Sequence, residues 1–342
     1  MTVMTYAQAL NGAHCIAMKD DPHVFAIGED IGSYGGYYGV TAGLLETFGK
    51  ERVLDTPISE IAITGASVGA ALVGTRPILE IGFVDFVGTC WDQIFNQAAK
   101  FCYMSGGQAR VPIVIRMACG AGLAYGVHHS QSLEAWFTHI PGLKVVMPST
   151  PIDAKGLLLS AIEDDNPVIF LEHKFLYAQQ GEVPDGPYRI PIGKAHITRK
   201  GRDVTIVTWS RAVHWALATA GELAREGINC EVVDLRTLSP LDEATVTRSV
   251  EKTGRVVVCH EACLTGGFGA EIVARVTEKS FDSLEAPPVR VAAPDIPVPS
   301  SRPLENEYLR PERRLADAVR NLNAVNHRRI KYQTGNNQIK EI

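Results

Sequence analysis

The stretch Asp55–Gly74, DTPISEIAITGASVGAALVG, decides how the rest of the chain is read. Thr56-Pro57 makes a turn. The residues after it are Ala, Gly, Ser and branched aliphatics, a mixture too small and too apolar for a surface helix. Ser59 stands as N-cap and puts Glu60 in the first helical turn, where the macrodipole tolerates a negative charge. The small residues beyond let another backbone or subunit approach closely. A lone carboxylate at the mouth of such a helix is either an end charge or a placed acid, and the pattern alone leaves both open.

Working outward, strand and helix patterns alternate. Thr5-Tyr6-Ala7-Gln8 is a capping box opening a helix to about Lys19, and Val24–Ile27 is a short strand. Arg76–Val84 reads as a buried strand and Thr89–Met104 as one helix, with Trp91, Ile94, Phe95, Ala98 and Phe101-Cys102 on its apolar side. Val111–Met117 is a strand, Ser130–His139 a short helix and Leu143–Met147 a strand. Thr150 as cap, Pro151 at the first helical position and Asp153 behind it start a helix ending near Glu163. Val168–Leu171 closes this series. Tyr177–Pro191, rich in Gly and Pro, reads as a linker.

A second series follows. Val204–Thr208, Cys230–Asp234, Arg255–Val258 and Val289–Ala292 read as strands. Arg211–Arg225, Leu241–Lys252, Gly269–Lys279 and Pro311–Asn323 read as helices. From Asn326 the chain is polar and expected to be loosely ordered. Such alternation implies two α/β domains, each a parallel or mostly parallel sheet flanked by helices.

Composition narrows the function classes. The 342 residues are 46% hydrophobic and 21% charged, the balance of a globular protein with room for two domains. Against 33 Lys and Arg stand 38 Asp and Glu, so no basic footprint points to nucleic acid or an anionic membrane. No apolar run reaches a membrane span, and MTVMTYAQAL lacks a signal-peptide layout. Seven cysteines without a CxxC pair fit reduced thiols in a cytoplasm. Cys259, His260, Glu261 and Cys263 could ligate a metal, but no second ligand pair closes a site, and none is expected there.

Two glycine-rich segments invite a nucleotide-binding reading and fail it. Gly28–Gly39 has no Gly-Lys-Ser/Thr ending, and reads as a loop near a subunit interface. Gly120, Gly122 and Gly126 follow a strand, but with the spacing GxGxxxG, no acid about twenty residues on, and His128-His129-Ser130 where a helix should start.

Seven strings then come in order: DTPISE (55–60), EIGFVDF (80–86), DQIxNQAAK (92–100), YMSGG (103–107), VPIVIR (111–116), HSQS (129–132) and HIPGLKVVxPS (139–149). Together they resemble the β-subunit (E1 component) of the thiamine-diphosphate-dependent 2-oxoacid dehydrogenases, a family that includes the pyruvate, branched-chain 2-oxoacid and acetoin enzymes. The similarity runs from about Thr5 to about Asn323. It implies a pyrimidine-binding domain at 1–177, a linker at 178–195, a transketolase C-terminal-like domain at 196–325 and a polar tail at 326–342.

The resemblance also implies roles. Glu60 would hydrogen-bond the cofactor's aminopyrimidine ring and drive its tautomerisation, a task for a lone acid in an apolar pocket. Phe86 would stack on the ring and Ile58 line the pocket. His129 would sit in the substrate channel, moving a proton or assisting transfer to a lipoyl group, with His128 left structural. The family holds the diphosphate and its Mg²⁺ through a GDG motif closed by NN. This chain has no GDG, and Asn336-Asn337 stands without it. A partner α-subunit would therefore supply the diphosphate half and the Mg²⁺, in an α2β2 assembly serving a lipoyl-bearing acyltransferase. A structural K⁺ would bind Ile113, Ala161, Ile162, Asp164 and Asn166.

Substrate choice stays open. FVDF, HIPGLKVV and EHKxLYxxQGEVP (172–184) look like the acetoin branch, whereas HSQSxEA and HEAxLTGGF (260–268) look like the branched-chain branch. Two alternatives remain beside the dehydrogenase. One is the C-terminal half of a split transketolase, which predicts Gln where Ile61 stands. The other is a docking subunit that kept the fold without the chemistry.

Overall fold

The computed structural model describes the backbone of residues 1–336 and the side chains of residues 1–325. Its strands are β1 (Thr2–Thr5), β2 (Val24–Glu29), β3 (Val53–Thr56), β4 (Arg76–Ile81), β5 (Val114–Cys119), β6 (Lys144–Val146), β7 (Val168–His173), β8 (Gln180–Val183), β9 (His196–Arg199), β10 (Val204–Thr208), β11 (Cys230–Asp234), β12 (Thr237–Ser239), β13 (Val256–Cys263) and β14 (Val289–Ala293). Its α-helices are α1 (Tyr6–Asp20), α2 (Leu44–Phe48), α3 (Glu60–Leu72), α4 (Val87–Asp92), α5 (Phe101–Met104), α6 (Glu134–Thr138), α7 (Pro151–Glu163), α8 (Ala212–Ala224), α9 (Glu243–Thr253), α10 (Gly269–Ser280), α11 (Arg302–Tyr308) and α12 (Pro311–Asn336). Among the described residues no helix is long and apolar enough to cross a membrane.

The chain divides into two compact units. The first comprises residues 1–194 and takes back 236–241 and 297–306. Its seven-stranded sheet has the order β12-β6-β7-β5-β4-β2-β3, parallel except for β12. Helices α1 and α7 pack together over one face, burying Leu10, Met18, Leu157 and Leu158 against Val24, Val114 and Phe170. The α1 capping box is complete, and Thr150 caps α7 through the Asp153 N–H.

Beneath the carboxyl ends of β4, β5 and β7 lies a buried ion cluster. Arg116 binds Glu172 with two 2.7 Å bonds and Glu80 with one of 2.6 Å, and Tyr177 Oη donates to Glu172 at 2.7 Å. Burial opposes the guanidinium charge, but the Glu172 and Glu80 carboxylates outweigh it and raise the Arg116 pKa. Removing one partner of such a cluster is far more costly than the cluster's net gain.

The second unit comprises residues 195–235, 242–296 and 307 onward. Its five-stranded sheet has the order β14-β13-β10-β11-β9, parallel except for β9. Val204, Ile206, Val232 and Val257 meet Trp215, Ala216 and Leu223 of α8 and Leu315 and Val319 of α12 in its core. Two α/β layers of this kind are what the alternating patterns imply.

Several elements differ from expectation. The Thr89–Met104 helix is broken into α4, a π-helical segment Gln93–Ala98 and α5. Its ladder shifts where Trp91 and Phe95 stack at 6.1 Å. The linker contains β8, which pairs antiparallel with β1, neither strand being expected. Both β2 and β7 run two residues past their expected ends. The last helix, expected to stop at Asn323, continues to Asn336, while residues 337–342, including the second Asn of the NN pair, lie outside the described residues.

Candidate active site

In an open parallel sheet, ligands are met at the carboxyl ends of the strands. Here β3, β2, β4 and β5 are neighbours in that order. Their ends deliver, in turn, Ile58 and Glu60 after β3, Glu29 at the end of β2, Phe83 and Phe86 after β4, and His129 after β5. Four sequence-distant segments thus converge on one rim of the first unit.

The rings make contact. His129 meets Phe83 edge-to-face at 4.9 Å and Phe86 at 5.5 Å, and the two phenylalanines meet at 5.9 Å. Such pairs contribute about 0.5–1.5 kcal/mol each beyond area. Tyr37 from the glycine-rich loop covers Phe83 at 5.6 Å. Gly82 is needed beneath it, because a Cβ there would come within 2.6 Å of the Tyr37 ring. The loop itself is anchored by Tyr38, stacked on Tyr177 at 4.4 Å. Lys174, buried just past β7, donates its ammonium to the His129 carbonyl and lies 5.3 Å from the Phe83 ring centre.

Glu60 opens α3 as expected, beside apolar neighbours that this chain by itself leaves exposed. Glu60 is half-buried, Ile58 is 80% exposed and Ile61 54% exposed. Ala62, Ala66, Gly69 and Val73 lie exposed along α3, leaving an apolar stripe of small residues facing solvent. Ser59 holds the N-cap position without capping. Its hydroxyl donates to Pro57 O, and its N–H donates to Glu29 Oε1 at 2.9 Å.

Glu29 is a second acid at this rim, one that no sequence pattern marks. It is 8% exposed, and burial pushes its carboxyl up from the usual range, opposed by the Ser59 N–H and reinforced by the Glu60 charge. Glu29 therefore holds the turn that aims Glu60. On the other side, α3 packs on α4, where burial first, and the Glu60 charge among smaller causes, pushes the Cys90 thiol up to about 11. Glu60, Glu29 and the aromatic wall thus belong to one neighbourhood. Among the glycines after β5, Gly120 serves packing: a Cβ on it would lie 2.1 Å from the His173 ring.

The five residues expected around K⁺ are gathered where α7 turns into β7. The Ile113 carbonyl accepts from Val168 N at 2.9 Å, and that of Ala161 from Asp164 N at 3.3 Å. Arg76 Nη1 donates to the carbonyls of Ile162 and Asp164 at 3.1 and 3.2 Å. The Asp164 carboxylate accepts from Asn166 N and Nδ2 at 2.9 Å and from Lys144. Burial would raise its pKa, but Lys144 and Asn166 reverse this and hold it below the usual range. A cation would share these oxygens with two side-chain cations.

The rim fits half of a thiamine site: one aimed acid, a flat aromatic wall and exposed apolar residues beside them. Nothing in the donor set suits a diphosphate and its metal, and among the described residues no group of three His, Cys, Asp or Glu could hold a metal ion.

Comparison with known proteins bears on the same point. Residues 2–180 match the transketolase pyrimidine binding domain, and residues 193–314 the transketolase C-terminal domain. The chain is 52% identical to the β-subunit of acetoin:2,6-dichlorophenolindophenol oxidoreductase of Cupriavidus necator, over 91% of this chain and 95% of the relative. It is 46% identical to the 2-oxoisovalerate dehydrogenase β-subunit of Bacillus subtilis, over 90% and 94%. A solved split-gene transketolase, described as an inactive β4 tetramer, superposes with a TM-score of 0.77 over 93% of this chain and 98% of its own, at 23% identity. That likeness concerns the fold alone.

Proposed function

We propose, from the premise that this chain belongs to the E1 β-subunit family of the thiamine-diphosphate-dependent 2-oxoacid and acetoin dehydrogenases, that it supplies the pyrimidine half of an active site completed by an α-subunit. The observation that carries the proposal is that Glu60, Phe86 and His129 follow the ends of β3, β4 and β5 along one sheet edge, with no motif for the diphosphate. When bound, thiamine diphosphate would supply a carbon nucleophile for the substrate's oxo group.

The residues divide the work. The Glu60 carboxyl shares a proton with the aminopyrimidine ring, and Glu29 fixes the turn that presents it. Positioned acid–base chemistry of this kind contributes about 10²–10⁴-fold. Phe86 would stack on the ring, and Ile58 would line the pocket. His129 moves a proton in the substrate channel or during acyl transfer. We place these roles in residues 1–177, with 196–325 serving assembly.

Partner and ion proposals follow from the same surfaces. The exposed stripe of α3, with Ile58, Tyr103 at 89% and Met104 at 70% exposure, fits burial between subunits in an α2β2 tetramer. Mg²⁺ would be held by the α-subunit, and a lipoyl-bearing acyltransferase would take the acyl group. K⁺ at Ile113, Ala161, Ile162, Asp164 and Asn166 would share oxygens with Arg76 and Lys144. Seven cysteines without a CxxC pair fit a reducing cytoplasm.

The test is a dye-linked rate of the reconstituted α-plus-β complex with thiamine diphosphate and Mg²⁺, on pyruvate, 3-methyl-2-oxobutanoate and acetoin. A clear preference identifies the branch. Absence of dye reduction with all three, in a complex that binds the cofactor, refutes the dehydrogenase reading.

A further inference from the structure

The loop that carries His129 is held by a carboxylate with no part in the chemistry above. After β5 the chain passes through Gly120, Gly122, Ala124 and Gly126 at φ of 88°, 108°, 58° and 81°. Glycine adopts such angles freely, whereas alanine does so only when its surroundings enforce them. What enforces Ala124 is Glu305. This residue is 0% exposed, and its carboxylate accepts the Gly122 N–H at 2.7 Å and the Ala124 N–H at 2.8 Å.

Glu305 lies on α11 in the segment 297–306, which belongs to the first unit although its sequence neighbours on both sides belong to the second. A buried carboxylate is costly unless its oxygens are used, and charge-assisted bonds to two N–H groups use both. The loop has two further ties. Asp85 Oδ1 accepts Gln131 N and Nε2 at 3.2 and 2.9 Å, and Lys174 binds the His129 carbonyl. Between the ties stand Tyr125 and His129, both edge-on to Phe83, at 6.5 and 4.9 Å.

We propose that Glu305 is a positioning residue for His129: its carboxylate clamps the left-handed turn at Gly122 and Ala124, and so fixes the imidazole against Phe83 and Phe86. The role in turnover rests on the reading of His129 given above, while the clamp stands on the hydrogen bonds alone.

The experiment uses the full chain in complex with its α-subunit, thiamine diphosphate and Mg²⁺. Glu305→Ala removes both acceptors, and Glu305→Gln keeps the size and one acceptor, serving should the first variant fold poorly. Hydrogen exchange of peptides spanning 120–128 should quicken by about tenfold in the variants, with β5 and β7 unchanged. The kcat should fall about 10- to 100-fold with KM little moved, since small misplacements of a reacting group cost on that scale. In a His129→Ala background Glu305→Gln should cost nothing further. Unchanged exchange overturns the clamp. Faster exchange with wild-type kcat, or losses that multiply in the double variant, overturns the positioning role. A wild-type complex inactive on all three substrates sinks the functional reading and the positioning role with it, and the exchange arm still decides the clamp.

Discussion

Glu172→Gln is a sharp test of how the platform under the site is built. Arg116 is fully buried between three neighbouring strands and holds two carboxylates, Glu172 by two bonds of 2.7 Å and Glu80 by one of 2.6 Å. The substitution keeps the shape and removes one charge. It leaves Glu80 as the guanidinium's remaining carboxylate, turns an amide N–H₂ toward one of its nitrogens, and weakens the acceptor of Tyr177 Oη. Breaking a buried pair in this way costs about 3–5 kcal/mol. At about 2–4 °C per kcal/mol for a unit of this size, Tm should fall by roughly 6–20 °C. Thermal melts with urea titrations measure it, and Glu80→Gln, at the more exposed end of the cluster, should cost less. A Glu172→Gln loss below about 1 kcal/mol would refute the claim that the cluster must be complete, since removing one partner should cost several times that.

Two further outcomes follow. His260 is buried and stacked on Trp209 at 5.2 Å, and burial, with the Arg290 charge, lowers its pKa to about 4. The unfolded chain takes up the proton near pH 6.5 and the folded chain only near 4, so stability is full above about pH 6.5 and falls between the two by about 3 kcal/mol. His260→Phe should flatten this limb in melts at pH 7 and 5; an equal pH slope in both proteins counts against it. Lys174→Met loses the tie to the His129 carbonyl and should lower kcat about tenfold or more, with Lys174→Arg recovering part of the rate. Equal rates in all three proteins would place Lys174 outside the site.

The sequence carried the locally encoded elements well. The cap, Pro and Asp of Thr150–Asp153 mark the start of α7, and the apolar runs of β10 and β11 mark those strands without help from elsewhere. It carried the non-local ones poorly. TVMT and QGEV are too short and mixed to read as strands, and become so only by pairing across nearly the whole first unit. The break at Gln93 keeps the apolar positions Ile94 and Ala98 buried, so periodicity alone reads one helix there. At the candidate site, family resemblance rather than pattern singles out Phe86 and His129. Glu29, Lys174 and Glu305 were not, because a charged residue at a strand end or in a loop reads as solvated. Only the fold supplies the Ser59, His129, Gly122 and Ala124 backbone groups that these side chains bind.

The most direct test of the central claim, that this chain contributes the acid acting on the cofactor ring, is the dye-linked rate of the α-plus-β complex carrying Glu60→Gln. Cofactor binding is measured in the same samples. The rate should fall by about 10²-fold or more, with the complex assembled and the cofactor bound. A variant complex that reduces dye at close to the wild-type rate would contradict it, and would leave Glu60 as an end charge on a helix.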